Sequence, residues 1–180
     1  MILLIDLNER KGSLAFEEFV RPLESALDGI AECRTAHYLE VDSGLLEGCD
    51  RVILCGTPLK EEGYLKRPQA FEWLRGFGKP VLGICAGMQA IAAAYGSRMV
   101  KCQEIGMTEV ETVKDNPLFK GWFKAYSLHN WAVEPSGEFT VLAKSGNCVE
   151  AVKHNDREFY GVLFHPEVRN QDIIQKFAKL

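Results

Sequence analysis

Continuous apolar runs and helix-period stripes alternate through the first half of the chain. "MILLID" (1–6) is the pattern of a short strand covered on both faces, and the turn residues of "NERKG" end it. Phe16, Phe19, Val20, Leu23, Leu27 and Ile30 then recur at helical spacing, where Pro22 predicts a kink or a restart in the first turn of a new helix. Strands are predicted in "CRTAHYLEV" (33–41), in "DRVILCGTP" (50–58), where Gly-Thr-Pro stops the run, and in "PVLGI" (80–84). Between the last two, "RPQAFEWLRGFG" (67–78) has an amphipathic helical pattern. "AGMQAIAAAYG" (86–96) is rich in helix formers and ends at Gly96. The second half changes character: "FTVLAKS", "CVEAVKH" and "EFYGVLFH" are strands separated by turn residues, and "NQDIIQKFAKL" is a closing helix with Ile173, Ile174 and Phe177 inward. These elements predict one α/β domain over 1–180. Its sheet should be open, mixed and flavodoxin-like, mostly parallel, with helices on both faces and an antiparallel C-terminal extension.

Composition narrows the field. At 180 residues, 47 % apolar and 26 % charged, the chain is an ordinary globular domain, and its net charge of −4 offers no footprint for nucleic acid or anionic membrane. No apolar run is long enough to span a bilayer and the N-terminus lacks a secretory pattern, so a cytoplasmic protein is expected. The six cysteines (33, 49, 55, 85, 102, 148) form no CxxC pair, which predicts no metal site and leaves most of them as small buried hydrophobes.

Cys85 stands apart. In "GICAG" small residues lie two before and two after it, the spacing of a nucleophile elbow in which a strand turns sharply into a helix. That position exposes the sulfur at the carboxyl end of the sheet and at a helix N-terminus, whose dipole favours the thiolate. Of the four histidines, His37 and His154 lie in charged, turn-like sequence and are expected to be solvated. His165 ends an apolar strand and is followed by Pro166 and Glu167. In an extended H-P-E, Glu167 projects to the same side as His165 and can orient its ring. Taken singly, GxCxG also occurs as a structural turn, and HPE as a surface histidine beside a solvated glutamate.

Taken together, "GICAGMQ" and "FHPEV" resemble the signature of the class I, triad-type glutamine amidotransferases, and the likeness extends over most of the chain. "VILCGTP" stands at the family's oxyanion strand, and "KDNPLFKG" and "SLHNWAV" at its middle section. "CVEAVKHNDREFYGVLFHPEV" looks most like the glutaminase branch that serves GMP synthase, although Met88 replaces the histidine usual there. The resemblance implies hydrolysis of L-glutamine to glutamate and ammonia without a cofactor: Cys85 as nucleophile, His165 as base and acid, Glu167 as its orienting carboxylate. The oxyanion donors would be the backbone N–H groups of Ala86 and of Thr57 or Gly56. Gln89, Leu128, His129 and Asn130 would bind the substrate head group. Two positions depart from the family. Thr57 stands where the oxyanion loop usually has a second glycine, which raises the hypothesis of a loop misoriented until a partner docks. Trp131 replaces a frequent acidic residue.

No Walker-type loop or second domain for using ammonia is present in the sequence, so the implied partner is a separate synthetase subunit, with GMP synthase among the candidates. Two other readings stand beside it: a free-standing γ-glutamyl or peptide hydrolase, and a catalytically silent regulatory module on the same fold.

Overall fold

The computed structural model describes residues 1–180. Its first half winds β1 (Ile2–Asp6), α1 (Leu14–Phe19), α2 (Arg21–Leu27), β2 (Cys33–His37), α3 (Ser43–Glu47) and β3 (Arg51–Leu54). Two 3-10 helices follow, Gly63–Lys66 and Pro68–Arg75, then β4 (Val81–Ile84) and α4 (Ala86–Ala94). The remainder is β5 (Arg98–Thr112), β6 (Trp122–Glu134), β7 (Phe139–Lys144), β8 (Val149–His154), β9 (Phe159–Val162) and α5 (Asp172–Phe177). Pro22 restarts the helix, as one of the two predicted outcomes: it lies in the first turn of α2, where a missing N–H costs nothing. The amphipathic 67–78 segment forms a 3-10 helix over Pro68–Arg75 and stops at Gly76.

All nine strands form one sheet in the order β2-β1-β3-β4-β9-β8-β7-β5-β6. Four neighbouring pairs are parallel and four antiparallel, so the expectation of a mostly parallel sheet is corrected to an evenly mixed one. The reason is connectivity. Parallel neighbours need a crossover, usually helical, and the chain forms no helix between α4 and α5, so β5 to β9 are joined without one. β5 and β6 form a long ribbon that the hydrophobic pattern did not reveal. Along β5 only Glu104 and Val110 are buried, which leaves almost no apolar periodicity to read.

The inner strands of the parallel half, β1, β3, β4 and β9, are almost wholly apolar because both faces are covered, whereas the edge strand β2 carries Arg34, Thr35 and His37. Ile2 and Leu4 pack with α2 and α5, whose Leu23, Leu27, Ile173, Ile174 and Phe177 fill one core layer. Leu3 and Ile5 point the other way, to a layer holding α4 and Phe71 and Leu74 of the second 3-10 helix. Inserting β9 beside β4, parallel and in register from Val81↔Phe159 to Ile84↔Val162, brings the carboxyl ends of two distant segments to one edge. No helix is long and apolar enough to cross a membrane.

Candidate active site

Cys85 caps α4 with φ 49° and ψ −101°, a left-handed backbone at a non-glycine residue. Such strain persists only where the surroundings enforce it. Here the enforcement is visible: the Cys85 N–H donates to the Val162 carbonyl of β9 (2.8 Å), and its carbonyl accepts from Gln89 in the first turn of α4 (3.1 Å). The flanking glycines are sterically required. A Cβ on Gly83 would strike the Gly87 backbone, and one on Gly87 would strike the Leu54 carbonyl of β3. The small residues at −2 and +2 therefore let the elbow pack on its own helix and on the neighbouring strand.

His165 lies just beyond β9 on the same edge. Its N–H donates to the Tyr126 carbonyl of β6 (2.8 Å), and Nδ1 is 2.6 Å from Oε1 of Glu167. The pairing occurs in a turn, since Val168 and Arg169 both donate to the His165 carbonyl; the expected extended H-P-E is corrected on this point. Both side chains are buried, and Nε2 of His165 has no hydrogen-bond partner. Burial opposes a charge on this ring, but the carboxylate of Glu167 and the nearby Cys85 sulfur outweigh it and hold the imidazolium well above the ordinary histidine range. Gly56, after β3, fits against the ring: a Cβ there would lie 2.7 Å from Cε1 of His165. Phe19 covers the same ring at 5.6 Å between centroids.

Two segments close the pocket around the sulfur. The Cys85 thiol is 3.6 Å from the Leu128 carbonyl, and Leu128, His129, Asn130 and Trp131 of β6 form one wall. The loop from Thr57 through Tyr64 forms the other and folds over the opening. Asn130 donates to the Leu59 carbonyl (3.0 Å), the Trp131 indole to Glu62 (2.7 Å), and the Tyr64 hydroxyl to Gln89 (2.5 Å), whose amide nitrogen donates to the Trp131 carbonyl (2.9 Å). Only about 20 Å³ remains inside, room for about one water. Thr57 has no left-handed backbone, and its hydroxyl donates to the Glu61 carbonyl at 3.3 Å. The N–H groups of Gly56 and Thr57 donate to no protein acceptor.

Of the site residues read from the sequence, Thr57, Cys85, Gln89, Leu128, His129 and Asn130 line this cleft; Gly56 lies against the His165 ring, Glu167 pairs with that ring, and Ala86 follows Cys85 in α4. His129 lines the cleft, while its ring turns away from the sulfur: Nδ1 donates to the Cys102 carbonyl (3.0 Å) and Nε2 faces Glu104. No pattern in the chain pointed to Tyr64 or Glu62, which reach the pocket through a non-periodic loop. His37 and His154, expected in solvent, are buried instead; Nε2 of His37 meets the Asn8 carbonyl at 2.8 Å, and His154 packs among Tyr95, Phe139 and Phe159.

Chemically this is equipment for attacking a carbonyl through sulfur, and the class such an arrangement defines is that of thiol hydrolases on an open α/β sheet. The family model for "Glutamine amidotransferase class-I" matches residues 29–178, and the chain belongs to that family. It is 35 % identical to a glutamine-hydrolyzing GMP synthase subunit of Pyrococcus furiosus, in a match covering 82 % of this chain and 89 % of that one. Against the subunit of the same name from Methanocaldococcus jannaschii identity is 42 %, and the match spans 56 % of this chain and only 60 % of the relative. Among solved structures, a Thermoplasma acidophilum protein provisionally described as a GMP synthase subunit superposes with a TM-score of 0.83 at 25 % identity, covering 99 % of this chain and 93 % of that one.

Proposed function

We propose that this chain is the glutaminase subunit of a two-subunit GMP synthase, releasing ammonia from L-glutamine for a separate synthetase. The observation that carries this reading is the convergence of Cys85, His165 and Glu167 on one edge of the sheet, in a family whose similar members include glutamine-hydrolyzing GMP synthase subunits. The parallel half, in the order β2-β1-β3-β4-β9, is read as flavodoxin-like, with the elbow at the carboxyl ends of its strands where such folds hold ligands.

In the proposed reaction His165 first takes the thiol proton, and the resulting Cys85 thiolate attacks the side-chain carboxamide carbon of glutamine. The tetrahedral oxyanion is met by the unpaired N–H groups of Gly56 or Thr57 and by the N–H of Ala86, the first helical residue after the nucleophile. Collapse expels the amide nitrogen, which leaves as ammonia with the proton from His165, and a γ-glutamyl thioester remains on Cys85. Water, deprotonated by His165, then attacks the thioester; glutamate departs and the thiol is restored. Glu167 keeps the ring oriented and offsets its charge throughout.

The closed pocket supports a further part of the reading: the 57–64 loop must lift before glutamine can enter, and docking of the synthetase is the event that lifts it. The β5–β6 ribbon offers the surface such a partner would cover, since Ile105, Met107 and Trp122 are each more than half exposed. Ammonia release, assayed with and without a GMP synthase synthetase subunit, tests both statements. The reading expects slow turnover alone and a rise on adding the partner. Equal rates would leave a free-standing hydrolase as the better account, and no release in either case would leave the silent module.

A further inference from the structure

Beside the pocket wall, four ligand-type side chains converge: Glu104 of β5, His129 of β6, Cys148 in the turn just before β8 and Glu150 within β8. One ligating atom from each lies within 4.8 Å of all the others. His129 is the paired neighbour of Glu104 across the ribbon, next to a register shift between Lys101 and Glu104 that re-aims the strand. We propose that this cluster is a structural binding site for a zinc-class divalent cation, and the proposal does not rest on the glutaminase reading.

Geometry carries it. Tetrahedral bonds of about 2.0–2.3 Å to N, O and S place ligand atoms ~3.3–3.8 Å apart. The observed separations are 3.4 Å from His129 Nε2 to Glu104 Oε2, 3.8 Å from Cys148 Sγ to the same oxygen, and 3.6 Å from Cys148 Sγ to Glu150 Oε1. The ring orientation is fixed for ligation. Nδ1 of His129 faces a carbonyl, which only accepts, so the proton sits there and Nε2 presents a lone pair to the cluster. That lone pair aims at a carboxylate oxygen and has no hydrogen-bond partner, in a side chain only 1 % exposed. Oε2 of fully buried Glu150 is also unpartnered. Asn147 holds the other oxygen of Glu104 at 2.6 Å, the kind of outer contact that orients a ligating carboxylate.

An imidazole, a thiolate and two carboxylates suit zinc better than a hard oxygen-seeking ion. All four positions are filled by protein, so the ion would stabilise rather than catalyse. It would tie β6 to β5 and to the β7–β8 turn one residue from Leu128, whose carbonyl touches Cys85. The ligands come from three strands and a turn, and only one of them is a cysteine, which is why cysteine spacing alone predicted no metal.

The test is metal analysis of the full-length protein, purified from zinc-supplemented growth without chelators. The proposal expects about one zinc per chain. After exchange into Co²⁺ it expects thiolate-to-cobalt charge-transfer absorption in the near ultraviolet. Cys148→Ala and, as a second variant should that one not fold, Glu150→Gln should each weaken zinc binding ~100-fold or more, while Cys33→Ala binds as the parent does. Folded parent protein that holds no zinc, shows no cobalt absorption and is not thermally stabilised by added Zn²⁺ would overturn it. The cluster would then be held by a shared proton, on Glu150, which burial and the facing Glu104 push up to about 8.

Discussion

Glu167→Gln keeps the shape of the side chain and removes its charge. The ring of His165 is 1 % exposed, and its one hydrogen-bonding contact is the 2.6 Å bond to Oε1 of Glu167. Removing one member of a buried charged pair costs about 3–5 kcal/mol, because the other charge is left uncompensated. In the proposed mechanism that charge is the imidazolium paired with the Cys85 thiolate, so the cost falls on the nucleophile-activating step. At 1.36 kcal/mol per decade this becomes a fall of ~10²–10⁴ in kcat/KM for glutamine. The assay pairs steady-state glutamate release, with the synthetase present, with the rate at which a glutamine-analogue alkylator labels Cys85. Near-ultraviolet circular dichroism verifies that the variant is folded. A folded Glu167→Gln protein that turns over and labels within about threefold of the parent would refute the idea that this carboxylate sustains the imidazolium.

Three other outcomes are expected. Trp131→Phe deletes the indole bond to Glu62 that ties down the 57–64 loop; discounted for partial exposure this is about 1 kcal/mol, so labelling of Cys85 by the analogue in the absence of partner should accelerate ~5-fold. An unchanged labelling rate would mean the loop is not the barrier. Because the folded-state pKa of His165 is raised, its contribution to stability is complete below about pH 6.5 and is lost as pH rises through the folded value. Urea midpoints should therefore fall toward alkaline pH more steeply in the parent than in Glu167→Gln, and identical slopes would contradict this. Gly83→Ala should destabilise by ~3 kcal/mol or more by driving a methyl into the Gly87 backbone, whereas Gly137→Ala, with nothing within 4 Å, should leave the melting temperature within a degree or two.

Residues that combine burial with a strong pattern were readable from sequence. β1, β3 and β4 announce themselves because strands sandwiched between two layers carry almost no polar positions, and the elbow announces itself because Gly83 and Gly87 admit no Cβ. The β5–β6 ribbon was not readable. Its inward positions include Glu104 and His129, buried polar groups whose partners, Asn147 and the Cys102 carbonyl, a linear pattern cannot show. His154 misled for a related reason: its neighbours in sequence are charged, while its neighbours in space are aromatic. The residues proposed as a triad stand in two short motifs, and the edge of the sheet on which they lie followed from strand ends. The closed loop was not, because Tyr64, Glu62 and Leu59 reach the site through hydrogen bonds to distant Gln89, Trp131 and Asn130.

The central claim is that Cys85 cleaves the amide of glutamine through a covalent γ-glutamyl thioester. Its most direct test is an acid quench during turnover of glutamine in the presence of the synthetase, followed by mass-spectrometric peptide mapping. The account predicts a γ-glutamyl adduct on the peptide containing Cys85, absent from Cys85→Ala, which should also release no ammonia. Glutamate formation that persists in Cys85→Ala, or an adduct on another cysteine, would contradict it.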